Sequence, residues 1–179
     1  ALEINPTTHT FDLTTGLFFV VNKLIYTPEY DTGAATTYKR IYGSTANGWT
    51  RTYGNTSIDY LKYNNGTTLT NVGTSKYGVH WMFYEFNDPT RISILYGNSS
   101  YSLLEAQSAK LPADLPNEVA VGSTGVDMFK IIIKQDGEIA GIIDLKKKDS
   151  VGSNAASVHN ELGGLNQGDY QHLTVADRA

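Results

Sequence analysis

Tyr77-Gly-Val-His-Trp-Met-Phe-Tyr-Glu-Phe-Asn-Asp-Pro-Thr-Arg-Ile-Ser-Ile-Leu-Tyr96 is the densest aromatic and β-branched stretch of the chain, and it spells two strands and a turn. Val79, Trp81 and Phe83 alternate with His80, Met82 and Tyr84; beyond the turn, Ile92, Ile94 and Tyr96 alternate with Arg91, Ser93 and Leu95. Asn87-Asp88-Pro89-Thr90 specifies the reversal, because Asn and Asp bond their own backbone while Pro fixes φ and offers no N–H to a ladder. Both faces of the first strand are bulky. Such a strand lies between two layers, so this hairpin is predicted at the centre of a β-rich core.

Outward from that centre, turn signals punctuate short strands. Leu17 to Tyr26 reads as one strand ended by Thr27-Pro28, Thr36 to Tyr42 and Trp49 to Tyr53 as two more, and Asn64-Asn65-Gly66 as a type I′ hairpin turn. Gln135-Asp136-Gly137-Glu138 joins a second hairpin, Met128 to Lys134 and Ile139 to Leu145. Between the hairpins, Ser102-Leu103-Leu104-Glu105 carries the hydroxyl and the carboxylate of a capping box, which predicts one short helix stopped by Pro112 and Pro116. From Ser150 the composition turns to Ser, Gly, Asn and Ala and the strand pattern ends. The predicted fold is mainly β: an antiparallel β-sandwich over residues 1–149, with 1–76 and 77–149 as sub-parts, one short helix, and an extended C-terminal arm or linker over 150–179.

Composition narrows function. With 14 basic and 18 acidic residues the net charge is −4, which argues against nucleic-acid binding. Lys146-Lys147-Lys148 is the one basic run, read as a solvated strand end. No cysteine is present, so disulfides and thiolate metal sites are excluded. The longest apolar runs fall short of the roughly 20 residues of a membrane span. The opening residues lack the basic and apolar regions of a signal peptide, and without an initiator Met the chain reads as a processed product or a segment of something longer.

Catalytic signatures are wanting: no G-x-S-x-G, H-E-x-x-H, P-loop or G-x-G-x-x-G occurs. Glu85 and Asp88 flank the central turn, where carboxylates are ordinarily solvated. His159 and His172 fit no standard metal-ligand spacing, and His80 reads as a core histidine with a satisfied ring nitrogen. The expectation is no catalytic, cofactor or metal residues and no enzyme activity. Twelve tyrosines with Trp49 and Trp81, set among Asn, Thr and Ser, are the better lead, since they offer stacking and hydrogen-bonding surfaces for sugars. Trp49, Tyr53, Asn55 and Asn65 are the predicted glycan-facing residues.

The C-terminal segment adds a resemblance. His159-Asn160-x-Leu162-x-Gly164-Leu165, followed by Gln167-Gly168 and Tyr170-x-His172-Leu173-Thr174, resembles the His-Asn-x-Leu-x-Gly-Leu-Gln-Gly-Gly…Glu-Tyr-Tyr-His-Leu-Thr motif of tailed-bacteriophage tail-fibre and related virion structural proteins. Asn166 before a shortened loop and Gln171 in place of a second Tyr depart from it. The order of an aromatic strand, an Ile-Leu-Tyr-Gly strand, a short helix and a hydrophobic hairpin upstream is similar to modules that precede the motif. The resemblance implies a non-enzymatic virion component, assembled in the bacterial host cytoplasm, that acts in assembly and host-surface attachment. Its implied partners are itself, as a homo-oligomer and commonly a homotrimer, other virion proteins and a host-surface glycan, with no membrane insertion. The assembly residues would be His159, Leu162, Leu165, Tyr170, His172, Leu173 and Thr174. The alternative from another class is a monomeric carbohydrate-binding module of a secreted protein.

Overall fold

Residues 1–20, 23–34, 36–88, 92–120 and 124–145 are described by a computed structural model, whose contacts divide the chain into residues 1–146 and 147–179. All described residues belong to the first unit. The predicted assembly residues His159, Leu162, Leu165, Tyr170, His172, Leu173 and Thr174 lie outside them.

The fold is mainly β with one short α-helix. The strands are β1 (Leu2–Ile4), β2 (Phe11–Leu13), β3 (Gly16–Val20), β4 (Lys23–Thr27), β5 (Tyr30–Asp31), β6 (Tyr38–Ser44) and β7 (Gly48–Asn55). They continue with β8 (Lys62–Asn64), β9 (Leu69–Asn71), β10 (Tyr77–Glu85), β11 (Ile92–Tyr96), β12 (Gly125–Lys134) and β13 (Ile139–Asp144); α1 is Leu103–Ser108. Six of these form the main sheet in the order β13-β12-β10-β11-β6-β7. The predicted hairpin, β10 with β11, is at its middle, paired Met82 to Ile94.

The alternation read in β10 sorts the two layers. Met82 and Tyr84, with Ile94, Tyr96, Met128 and Ile131, pack against Leu2, Phe11, Leu13 and Tyr30 of the small sheet β1-β2-β5. On the opposite face Val79, Trp81, Phe83 and Leu95 meet Ala106 of α1 and Val119 of a single 3₁₀ turn, Asn117–Val119. Burial of each such side chain is worth about 1.5–3 kcal/mol, so β10 contributes to both layers at once. The helix starts as predicted, Ser102 capping the Glu105 amide and Glu105 reaching back. It is held down by Lys130 of β12, whose buried Nζ donates to the Gln107 and Ala109 carbonyls at 2.8 and 2.7 Å.

Four local readings change. Leu17 to Tyr26 is not one strand but the hairpin β3–β4, Val20 pairing with Lys23. The β8–β9 turn is a four-residue loop rather than type I′: Gly66 has φ 92°, while the Asn65 side-chain Oδ1 accepts from the Thr67 and Thr68 amides. β6 lies parallel to β11 within an otherwise antiparallel sheet, joining residues from both halves of the chain. His80 is a fully buried core residue, yet neither ring nitrogen has a hydrogen-bond partner. Its ring meets the Tyr96 ring edge-on at 4.5 Å, and burial pushes its pKa down to about 3.

Candidate functional site

β6 and β7 are joined by the tight turn 45–47, and the residues around it build a cleft. At Gly43, φ is 114° and an added Cβ would lie 2.3 Å from the Gly48 carbonyl oxygen, so only glycine lets the two strands close there. Asn64 bolts the floor: its Oδ1 accepts from the amides of Gly43 (3.0 Å) and Gly66 (2.9 Å), and its Nδ2 donates to the Gly43 carbonyl (2.8 Å). Ser44 Oγ and Asn47 Nδ2 both donate to the Gly66 carbonyl, fixing the β8–β9 loop beside the β6–β7 turn. On the other side the Thr45 amide and hydroxyl donate to the Asp114 carboxylate. The open cleft between them measures about 320 Å³, and Trp49, Asn65, Tyr96, Asn98 and Asp114 are among its walls.

Most polar groups of this cleft are spent on building it. Asn65 holds Thr67, Thr68 and Thr70, and Asn64 holds two strands. Asn98 accepts one hydrogen bond, at Oδ1 from the Tyr101 hydroxyl (2.7 Å). The Thr45 bonds hold the Asp114 carboxyl below its ordinary pKa, so it is an ionised acceptor at neutral pH. The half-buried indole of Trp49 packs on the helix-side core while lining the cleft. An apolar ring beside a carboxylate and an amide is the combination that grips a polyhydroxylated ligand, the ring stacking on C–H faces and the polar groups meeting hydroxyls.

A second cleft, about 300 Å³, lies farther along β7 and is charged. Lys39 Nζ donates to Glu85 Oε2 (2.6 Å) and Asp88 Oδ2 (3.0 Å), and Ser93 Oγ donates to the other Glu85 oxygen. Lys39 and Glu85 are each only 3% exposed. Glu85 is therefore a buried ion-pair member, not a solvated turn carboxylate. Burial raises its pKa, an effect that Lys39 and Ser93 offset only in part. Arg51 forks onto the Glu118 carboxylate, with Nη2 to Oε2 at 3.0 Å, and this outweighs burial to hold Glu118 below its usual pKa. Tyr53, 61% exposed, stands at the lip.

The predicted glycan-facing residues therefore separate. Trp49 and Asn65 share the first cleft, and Tyr53 lines the second. Asn55 lines neither: its Nδ2 folds back on the carbonyls of Thr52 (2.6 Å) and Tyr38 (3.1 Å). Trp49 and Tyr53 stand four residues apart on one side of β7, about 13 Å by strand rise. Asn98 and Asp114 went unread in the sequence, since a lone amide in a turn and an Asp between two prolines look like punctuation. Only the topology brings them to Trp49. Among the described residues no group of three or more His, Asp or Glu is arranged to hold a metal ion, and no helix is long and apolar enough to cross a membrane. Compared with known protein families, with curated proteins and with solved structures, the chain matches none.

Proposed function

We propose that this chain is a non-enzymatic structural component of a tailed-bacteriophage virion, of the tail-fibre kind, that attaches to a glycan on the host surface. The observation that carries attachment is the cleft in which the Trp49 ring, Asn98 and Asp114 converge, on a frame whose own hydrogen bonds are internally satisfied. A preformed frame lowers the ordering cost of binding, which is what a weak, repeated surface contact requires. The virion part rests on the resemblance of the segment His159 to Thr174, whose leucines and Tyr170 dock on other copies or on the next module in this reading.

A second reading, a monomeric carbohydrate-binding module of a secreted protein, draws on the same placement of Trp49 and Tyr53 along one strand. The two readings share the cleft and differ in the company the chain keeps.

The test is a glycan screen of the full chain against bacterial surface polysaccharides and neutral plant and animal glycans, beside Trp49→Ala. The expected result is binding of a bacterial polysaccharide that Trp49→Ala weakens at least tenfold, the loss of about 1.4 kcal/mol or more that removal of an aromatic anchor entails. A folded chain that binds nothing, or binds equally well without Trp49, overturns attachment through this cleft. Binding confined to plant or animal glycans favours the secreted module.

A further inference from the structure

The two clefts share their walls. One wall is β7, where Trp49, Arg51 and Tyr53 stand at alternate positions and so on one face of the strand. Trp49 packs on the helix-side core, Arg51 reaches Glu118, and the Tyr53 ring centroid lies 6.0 Å from Lys39 Nζ. The facing wall is the stretch 111–119. Leu111, Leu115 and Val119 pack down on the core of Trp81 and Phe83, which leaves Pro112 and Asp114 to line the first cleft and Glu118 to line the second. Two ties hold this wall to the β6–β7 hairpin, Thr45 to Asp114 and Arg51 to Glu118. The Arg51 side chain, 36% exposed, also donates from Nη1 to the Trp49 carbonyl at 2.8 Å, so its guanidinium is fixed between the two aromatic residues.

We propose that the two clefts are halves of one groove for a linear oligosaccharide without acidic groups, gripped by Trp49 at one end and Tyr53 at the other across the Arg51–Glu118 tie. The inference rests on the glycan reading above and adds to it the length and the charge of the glycan. Length follows from spacing. The two rings are about 13 Å apart by strand rise, farther than one sugar ring reaches, so a ligand that stacks on both is a chain of sugars. Joining two weak contacts in one ligand makes the second intramolecular, which raises affinity beyond that of either contact alone. Charge follows from pairing. Among the described residues that line the clefts the cations are Lys39 and Arg51, and carboxylates hold both, Glu85 with Asp88 the first and Glu118 the second. Asp114 keeps its charge beside Trp49, because its partner Thr45 is neutral. A uronate or phosphate finds no unpaired cation among these residues and is repelled by Asp114, whereas sugar hydroxyls can donate to that carboxylate and accept from guanidinium N–H groups outside the tie.

The experiment titrates the full chain with bacterial surface polysaccharides sorted into those without acidic groups and those rich in uronate or phosphate. Sized fragments of the tightest binder, from the single sugar upward, follow. A polymer without acidic groups is expected to bind, with affinity rising at least tenfold from its shortest fragments to its longest. Tyr53→Ala should remove that gain and leave the short fragments as they were. Tyr53 is 61% exposed, so the variant keeps the fold, which circular dichroism checks. Affinity that does not grow with length, indifference to Tyr53→Ala, or preference for acidic polymers overturns the shared groove while attachment at Trp49 stands. Binding to no polysaccharide at all overturns attachment itself, and the groove with it.

Discussion

The two edges of the main sheet expose different chemistry. β7 presents Thr50, Arg51, Tyr53 and Gly54 to solvent, whereas β13, which ends in Asp144, presents Ile142 and Ile143. The contrast teaches that exposure alone does not tell what an edge is for. On β7, Trp49 and Tyr53 border two clefts framed by hydrogen-bonded and charged side chains, which suits recognition. β13 lines neither cleft.

Four predictions press on that contrast, from the largest effect to the smallest. His80 sits in β10, between the edges, so its protonation should undo both. Its folded pKa, about 3, is depressed below the ordinary 6.5, so the stability it contributes is complete above pH 6.5 and is lost as pH falls toward 3. At 1.36 kcal/mol per unit the shift from 6.5 is worth about 5 kcal/mol in the limit. Urea unfolding of wild type and His80→Leu from pH 7 to 3 should show the variant losing far less stability. Parallel pH profiles would remove His80 from the account.

The β7 side leans on charge. Lys39→Met strands Glu85 and should cost about 3–5 kcal/mol at pH 7, the usual penalty for breaking a buried pair. Because burial raises the Glu85 pKa in the fold, its folded carboxyl takes up a proton above the ordinary value of 4.5, so the variant's deficit should shrink as pH falls toward 4.5 and change little below it. A loss under 1 kcal/mol would mean that the β7 side does not depend on this cluster.

Asn55→Ala removes two hydrogen bonds to carbonyls and should cost about 1–2 kcal/mol. Urea unfolding checks it; a loss near zero would mean that the β6–β7 register shift does not need this amide. Ser102→Ala should cost about 1 kcal/mol in urea unfolding through the lost helix cap and leave glycan binding alone.

What the sequence disclosed was local. The β10–β11 hairpin, its two faces, the capping box and the β12–β13 hairpin all rest on residues within a few positions of one another, and they stand as predicted. What it concealed was non-local. Nothing near β6 says that it runs parallel to β11, and so nothing says that β7 and β13 are the edges. Glu85 closes a strand that is otherwise almost wholly apolar, and Lys39 sits between Tyr38 and a buried Ile41, but only the fold brings the two charges together. The Trp49 cleft was half legible for the same reason: the ring and Asn65 stood out, while Asn98 and Asp114 reach them through topology.

The most direct measurement is amide hydrogen exchange of the full chain with and without a bacterial surface polysaccharide. Peptides covering β7, residues 48–55, are expected to gain protection with the glycan while those covering β13, residues 139–144, do not. Protection that grows on β13, or on neither edge, would contradict recognition along β7.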